Sequence, residues 1–258
     1  SRYTIGEEID AQGGLVLPSW CDAHTHTVFA GSREQEFVDR MQGLSYQQIA
    51  ERGGGILNSA RRLRDASEDE LFHAARERVL DAIRMGTGAI EIKSGYGLDE
   101  ASELKMLRVI RRLRDHFPIP VRSTFLGAHA VPAEFQGDRS AYLKFLTDTL
   151  FPKVADEGLA DFCDIFCEQG YFTADETFQY LSKARAFGMR PKVHAEQLTR
   201  SGGILAGIKV GAISVDHLEY ANDEDIQALA DCRTMPVLLA GAQLFLGPPA
   251  PPARAMIT

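Results

Sequence analysis

The chain has 258 residues, of which 45% are hydrophobic, 25% charged and 9% aromatic. That length suits one or two soluble domains, or a single α/β barrel of about 250 residues, with a core that needs no disulfide or structural metal. A formal net charge of −8 argues against a nucleic-acid partner, and four irregularly spaced cysteines (Cys21, Cys163, Cys167, Cys232) argue against a disulfide scaffold and for a reducing, cytoplasmic compartment.

Short apolar β-rich runs alternate with amphipathic helical stretches along the whole chain. Leu15–Asp22 is the first run and leads into Cys21-Asp-Ala-His24-Thr-His26. A polar segment with Gly53-Gly54-Gly55 follows, then a helix over Glu68–Met85, for which Ser67 and Glu70 form a capping-box pattern. Gly88–Lys93 is the second run, followed by a helix over Asp99–His116 that Pro118 stops. Val121–Leu126 precedes a helix over Arg139–Asp156. Phe162–Phe166 precedes a helix over Thr173–Phe187, closed by Gly188. Arg190–Val193, Ala212–Val215 and Met235–Leu239 are the last three runs, with short helices near Ser201–Lys209, Asp223–Asp231 and Pro252–Ile257. The longest apolar stretch, Met235–Pro252, is broken by prolines and glycines, so no membrane segment is expected. No basic-then-apolar leader opens the chain.

Seven β-then-α units predict parallel strands with helical crossovers. A closed barrel takes eight. The reading is therefore an α/β fold, a TIM-like (β/α)8 barrel whose strands one to seven fall in residues 18–258, with the eighth expected beyond Thr258. Ser1–Asp10 is expected as an edge strand. A complete, open doubly wound sheet is the competing arrangement.

In parallel barrels the chemistry sits where strands end. His24 and His26, Lys93 to Tyr96, His129, Cys167 and Glu168, His194 and His217 stand at those ends. Five of the seven histidines fall there; His73 and His116 lie in helices. His24 and His26, at i and i+2, share one strand face. A third nitrogen from His194 would leave a coordination position for water, as in a catalytic zinc site. The competing account makes these imidazoles hydrogen-bonding members of a packed mouth. A bound metal lowers the pKa of its water and polarises a carbonyl, so hydrolysis follows, with His217 placed to take a proton. The fourth strand ends without a lysine to bridge two metals, so one ion is expected, with Glu168 an outer carboxylate or second ligand. Arg33 could clamp a carboxylate, and Tyr96, between Gly95 and Gly97, could approach a ligand closely. Gly53-Gly54-Gly55 lacks a phosphate-loop pattern and reads as a flexible turn. Cys163 and Cys167 read as buried packing.

The blocks Pro18–His26, Phe29–Arg33, Gly53–Ile56, Lys93-Ser-Gly-Tyr-Gly-Leu98, Gly127–Pro132, Phe166-Cys-Glu168, His194-Ala-Glu-Gln-Leu198 and Ser214–Glu219 resemble the amidohydrolase superfamily and, within it, the imidazolonepropionase family. The resemblance implies a distorted (β/α)8 barrel with a small β-sandwich built from both chain ends, of which 1–17 would be a remnant. It implies opening of the cyclic amide of 4-imidazolone-5-propanoate by water to give N-formimidoyl-L-glutamate. It assigns His24, His26 and His194 to one metal ion, zinc or iron, and Arg33, Tyr96, His129 and Gln197 to the substrate. His217 becomes the proton acceptor or carbonyl orienter, and an eighth-strand aspartate ligand is expected beyond Thr258. Some relatives carry glutamate where Gln197 stands; glutamine cannot serve as base. Strand alternation turns the adjacent Glu196 away. The implied partners are a small substrate with a carboxylate and a second copy of the chain, with neither nucleic acid nor membrane. Two alternatives stay open: a purine or pyrimidine deaminase of the same superfamily, which has no need of Arg33 as a clamp, and an inactive metal-binding chain.

Overall fold

A computed structural model describes residues 6, 8–44, 48–49, 54–247 and 249–257. Seven parallel strands follow one another in a single sheet: β1 (Trp20–Thr25), β2 (Thr87–Lys93), β3 (Val121–Ala128), β4 (Phe162–Cys167), β5 (Arg190–Ala195), β6 (Ser214–His217) and β7 (Met235–Val237). Each pairs in parallel with the next. The sheet curls on itself: Lys192 Nζ on β5 donates to the Ala23 carbonyl on β1 at 2.9 Å, and Asp216 on β6 meets His24 on β1. Side chains that meet across the inside of the sheet exclude an open doubly wound sheet and leave a barrel-type wall, with no β1–β7 pairing among the described residues.

The expected edge strand over Ser1–Asp10 lies mostly outside the described residues, and residues 8–19 form no strand, so the first run begins at Trp20 and not at Leu15. The polar segment after β1 forms two helices that the sequence reading did not predict: α1 (Glu34–Met41) and α2 (Gly55–Asp65). Gly55 therefore opens a helix, a correction to the flexible turn; Gly53 lies outside the described residues. In α2 the buried side chains Ile56, Ser59, Ala60 and Leu63 recur at helical spacing.

The remaining helices stand close to their expected bounds. Ser67 and Glu70 form the capping box of α3 (Glu68–Arg84), and Asp99 caps α4 (Glu100–His116). The stretch 139–156 is helical throughout, α5 (Arg139–Phe145) passing through a wider turn into α6 (Phe151–Asp156). Thr173 with Glu176 and Asn222 with Asp225 form capping boxes for α7 (Ala174–Ala186) and α9 (Asp223–Ala230), which flank α8 (Gly203–Val210). After β7 come α10 (Ala240–Leu246), which the sequence reading left inside an apolar run, and α11 (Ala253–Ile257).

Strand alternation gives the wall two different faces. Ile90, Ile92, Cys163, Ile165, Cys167 and Val193 turn outward and pack under the helices with Leu107, Ile110, Phe151 and Tyr180. Burial pushes the Cys167 thiol up to about 11, so both strand cysteines serve as packing, as expected. Glu91, Lys93, Asp164, Lys192 and Asp216 turn inward and are almost fully buried.

Candidate active site

Four strand ends bring five imidazoles to one mouth. His24 lies on β1 and His26 immediately after it, with ring centroids 5.3 Å apart. His194 on β5 lies 4.4 Å from His24, and His217 at the end of β6 lies 5.1 Å from each. His129, just past β3, stacks on His26 at 5.3 Å. His24, His194 and His217 each present a nitrogen within 4.8 Å of the other two, all three buried. His26 adjoins this group, its ring 5.7 Å from His194. His217 and Leu218 have φ of +90° and +69°. Such values are costly for residues with a Cβ and bend the chain sharply at the strand end, carrying the His217 ring into the cluster.

Burial holds His24, His26 and His217 below the usual imidazole range, and neighbouring imidazoles push the same way. His129 is lowered to about 3, chiefly by burial. Its Nδ1 lies 3.0 Å from the Gly95 carbonyl, an acceptor only, so Nδ1 carries the hydrogen and Nε2 keeps a free lone pair. Neutral imidazoles are the form that binds metals.

Behind the histidines lies a charged layer. Asp216 Oδ2 is 2.6 Å from His24 Nδ1, and Asp164 Oδ2 is 2.9 Å from His194 Nδ1. Lys93 Nζ donates to Asp164 at 2.8 Å and to Glu91 at 2.7 Å, and lies 3.4 Å from Asp216. Lys192 pairs with Glu91, which also accepts from the Thr124 hydroxyl. Burial alone would discharge Lys93, but Asp164, Glu91 and Asp216 outweigh it and raise its affinity for the proton. Asp164 is likewise held well below the carboxylate range, His194 and Lys93 prevailing over burial.

A cavity of about 290 Å³ opens over the cluster. His24, His26, Arg33, Tyr96, His129, His194, Gln197 and His217 all line it, so the structure brings together the candidate metal, substrate and proton-transfer residues, with Glu168 left outside. Arg33 does not stand alone: its Nε and Nη2 reach Glu36 at 2.9 and 2.8 Å, and Glu36 also accepts from the Gly55 N–H. Tyr96 sits in a loop tied to Glu103, whose carboxylate accepts from the N–H groups of Gly95, Gly97 and Leu98.

Glu168 stands apart from the histidine cluster: its carboxylate accepts from the N–H groups of Gln169, Leu198 and Thr199 and from the Thr199 hydroxyl, so it fastens the loop after β5. Glu196 turns away as expected and accepts from Gly202, Gly203 and Ile204 at the start of α8. Sequence reasoning missed Glu36, Glu103, Asp164 and Asp216. A signal existed for the two aspartates, each a charge inside an apolar β run.

The mouth fits a metal ion on its own evidence. Three buried nitrogens converge with carboxylates close behind their rings, and among the described residues His26 Nδ1, both nitrogens of His194 and His217 Nδ1 are buried without a hydrogen-bond partner.

A parallel α/β barrel with a histidine-lined mouth at its strand ends defines the amidohydrolase class of fold. The solved atrazine chlorohydrolase from Arthrobacter aurescens TC1, complexed with zinc, shares it at TM-score 0.65 and 13% identity, over 93% of this chain and 57% of that one. The imidazolonepropionase of Christiangramia forsetii is 53% identical over 256 residues, 99% of this chain. That of Flavobacterium johnsoniae is 50% identical over 249 residues, 96% of this chain. No family model matches. The chain is similar to imidazolonepropionases along nearly its whole length and spans 62% and 61% of the length of these two relatives.

Proposed function

We propose that this chain carries the reaction centre of a metal-dependent hydrolase that opens the cyclic amide of 4-imidazolone-5-propanoate to N-formimidoyl-L-glutamate. The observation that carries the reading is the convergence of the buried His24, His194 and His217, with His26 adjoining them, under a substrate-sized cavity. His24, His26 and His194 would hold one ion, zinc or iron, since imidazole donors suit both; zinc has its parallel in the structurally similar chlorohydrolase. When bound, the ion acidifies a water and polarises the ring carbonyl.

The residues of the chain do the rest. Arg33, aimed by Glu36, lines the cavity where a guanidinium would pair with the substrate carboxylate, with Tyr96 beside it. The free Nε2 lone pair of His129 accepts from a ring N–H. Water oxygen bonds to the carbonyl carbon, the ring C–N bond breaks, and a proton passes to the departing nitrogen. Gln197 cannot carry that proton. His217 can, as a neutral imidazole whose Nδ1 faces Glu219 at 3.7 Å and whose other nitrogen is left for the mouth.

The carboxylate clamp separates this reading from the deaminase alternative. Arg33→Ala should raise KM for the propanoate substrate by about 30-fold, the equivalent of a lost charged hydrogen bond worth about 2 kcal/mol, with little change for a neutral imidazolone. Equal rates on acid and neutral substrates in the wild-type protein, unaffected by Arg33→Ala, would overturn it.

A further inference from the structure

The buried layer beneath the mouth has no part in the hydrolysis as described. Five ionisable side chains fill the inside of the barrel, and none reaches the cavity. Burying charge in this way is expensive unless every member is paired. A stability role alone would not explain why the layer ends on the histidines. Asp216 touches His24 at 2.6 Å, Asp164 lies 2.9 Å from His194, and Lys93 Nζ stands between the two aspartates. The register contributes to this arrangement: His194 on β5 pairs with Asp216 on β6, which sets an imidazole and a carboxylate side by side on the inside of the barrel.

We propose that Asp216 and Asp164 are positioning residues for the metal-binding histidines, Asp216 holding the hydrogen of His24 on Nδ1 so that Nε2 faces the ion and Asp164 orienting the His194 ring by its charge 2.9 Å from Nδ1, and that Lys93 locks the two aspartates together as one device. The inference rests on the metal reading above and deepens it. A carboxylate on the far nitrogen fixes the tautomer and ring orientation of a ligating histidine and makes it a stronger donor. One lysine joining both carboxylates couples the two ligands, so a change at either aspartate reaches the site through a rotated ring as well as through lost charge. Ser214 serves the same end, its hydroxyl donating to Asp216 Oδ1 at 2.5 Å.

The test is zinc affinity of the purified protein, measured by competition with a chromophoric chelator, together with the cobalt(II) d–d spectrum. Asp216→Asn and Asp164→Asn should each weaken zinc binding by about 10- to 100-fold and shift the cobalt bands. Ser214→Ala keeps every charge of the layer and should weaken zinc binding several-fold, which keeps the test decisive if an aspartate variant fails to fold. A purely structural layer would lower the thermal midpoint of the metal-free variants and leave zinc affinity and the cobalt bands at wild-type values; that result overturns the proposal while the metal reading stands. A folded wild-type protein that takes up neither zinc nor cobalt overturns both.

Discussion

His129 shows how much of the site is set by where one hydrogen sits. Its Nδ1–H is committed to the Gly95 carbonyl, and burial lowers its pKa to about 3. In an unfolded chain a histidine takes up its proton near pH 6.5, about 3.5 units higher. Between those values the unfolded state binds a proton that the native state refuses, so its contribution to stability is full above about pH 6.5 and falls as the pH drops toward 3. His24, His26 and His217 are shifted in the same direction. Glu196, raised to about 7 by burial, opposes them with a single proton. The unfolding free energy of metal-free protein should therefore drop between pH 6.5 and 5 by more than the slope of one proton, about 1.4 kcal/mol per pH unit. A flat urea-denaturation profile over that range would contradict a cluster of neutral buried histidines. The histidines themselves were legible in the sequence because they stand at strand ends. Their carboxylate partners were harder to read, because an aspartate on a strand is ordinarily a solvent-facing residue; strand pairing brings Asp164 beside His194, and the curl of the sheet brings Asp216 behind His24.

Among the elements, the loop between β2 and α4 links backbone geometry to the cavity. Gly95 has a φ of +104°, and a Cβ on it would approach the His129 ring and the Leu126 carbonyl at 2.9 Å. On Gly97 a Cβ would lie 2.4 Å from the Glu103 nitrogen and 2.6 Å from the Ser102 carbonyl carbon. Both are backbone atoms at the start of a helix and cannot step aside. Gly97→Ala should push the loop off Glu103, displace Tyr96, raise KM about tenfold or more and cost about 2 kcal/mol of stability. Gly158→Ala, at a turn with a φ of +61° and open space around it, is the control and should affect stability alone. Indistinguishable variants in urea midpoint and KM would refute the loop's role. The strands and their capped helices were readable from β-rich runs and Ser67, Asp99, Thr173 and Asn222. α1 was not: Glu36 is its one buried residue, so it has no apolar stripe. In α2 the stripe of Ile56, Ala60 and Leu63 is masked by Arg61, Arg62 and Arg64, and α10 is hidden in an apolar run where helix and strand look alike.

For the whole molecule, the barrel separates two jobs by direction. Apolar residues between sheet and helices carry the packing, while the inside holds a paired charge layer beneath a ring of histidines. A net charge of −8 and a barrel-sized chain agree with a small-molecule enzyme but do not say which one; the residues at the strand ends carry the proposal made above. The most direct measurement is the rate of 4-imidazolone-5-propanoate hydrolysis by the purified protein as isolated, after a chelator has removed its metal, and after zinc or iron is returned. The account predicts turnover that the chelator abolishes and the metal restores. Turnover that persists in protein shown to contain no metal, or none in a folded, metal-loaded sample, would contradict it.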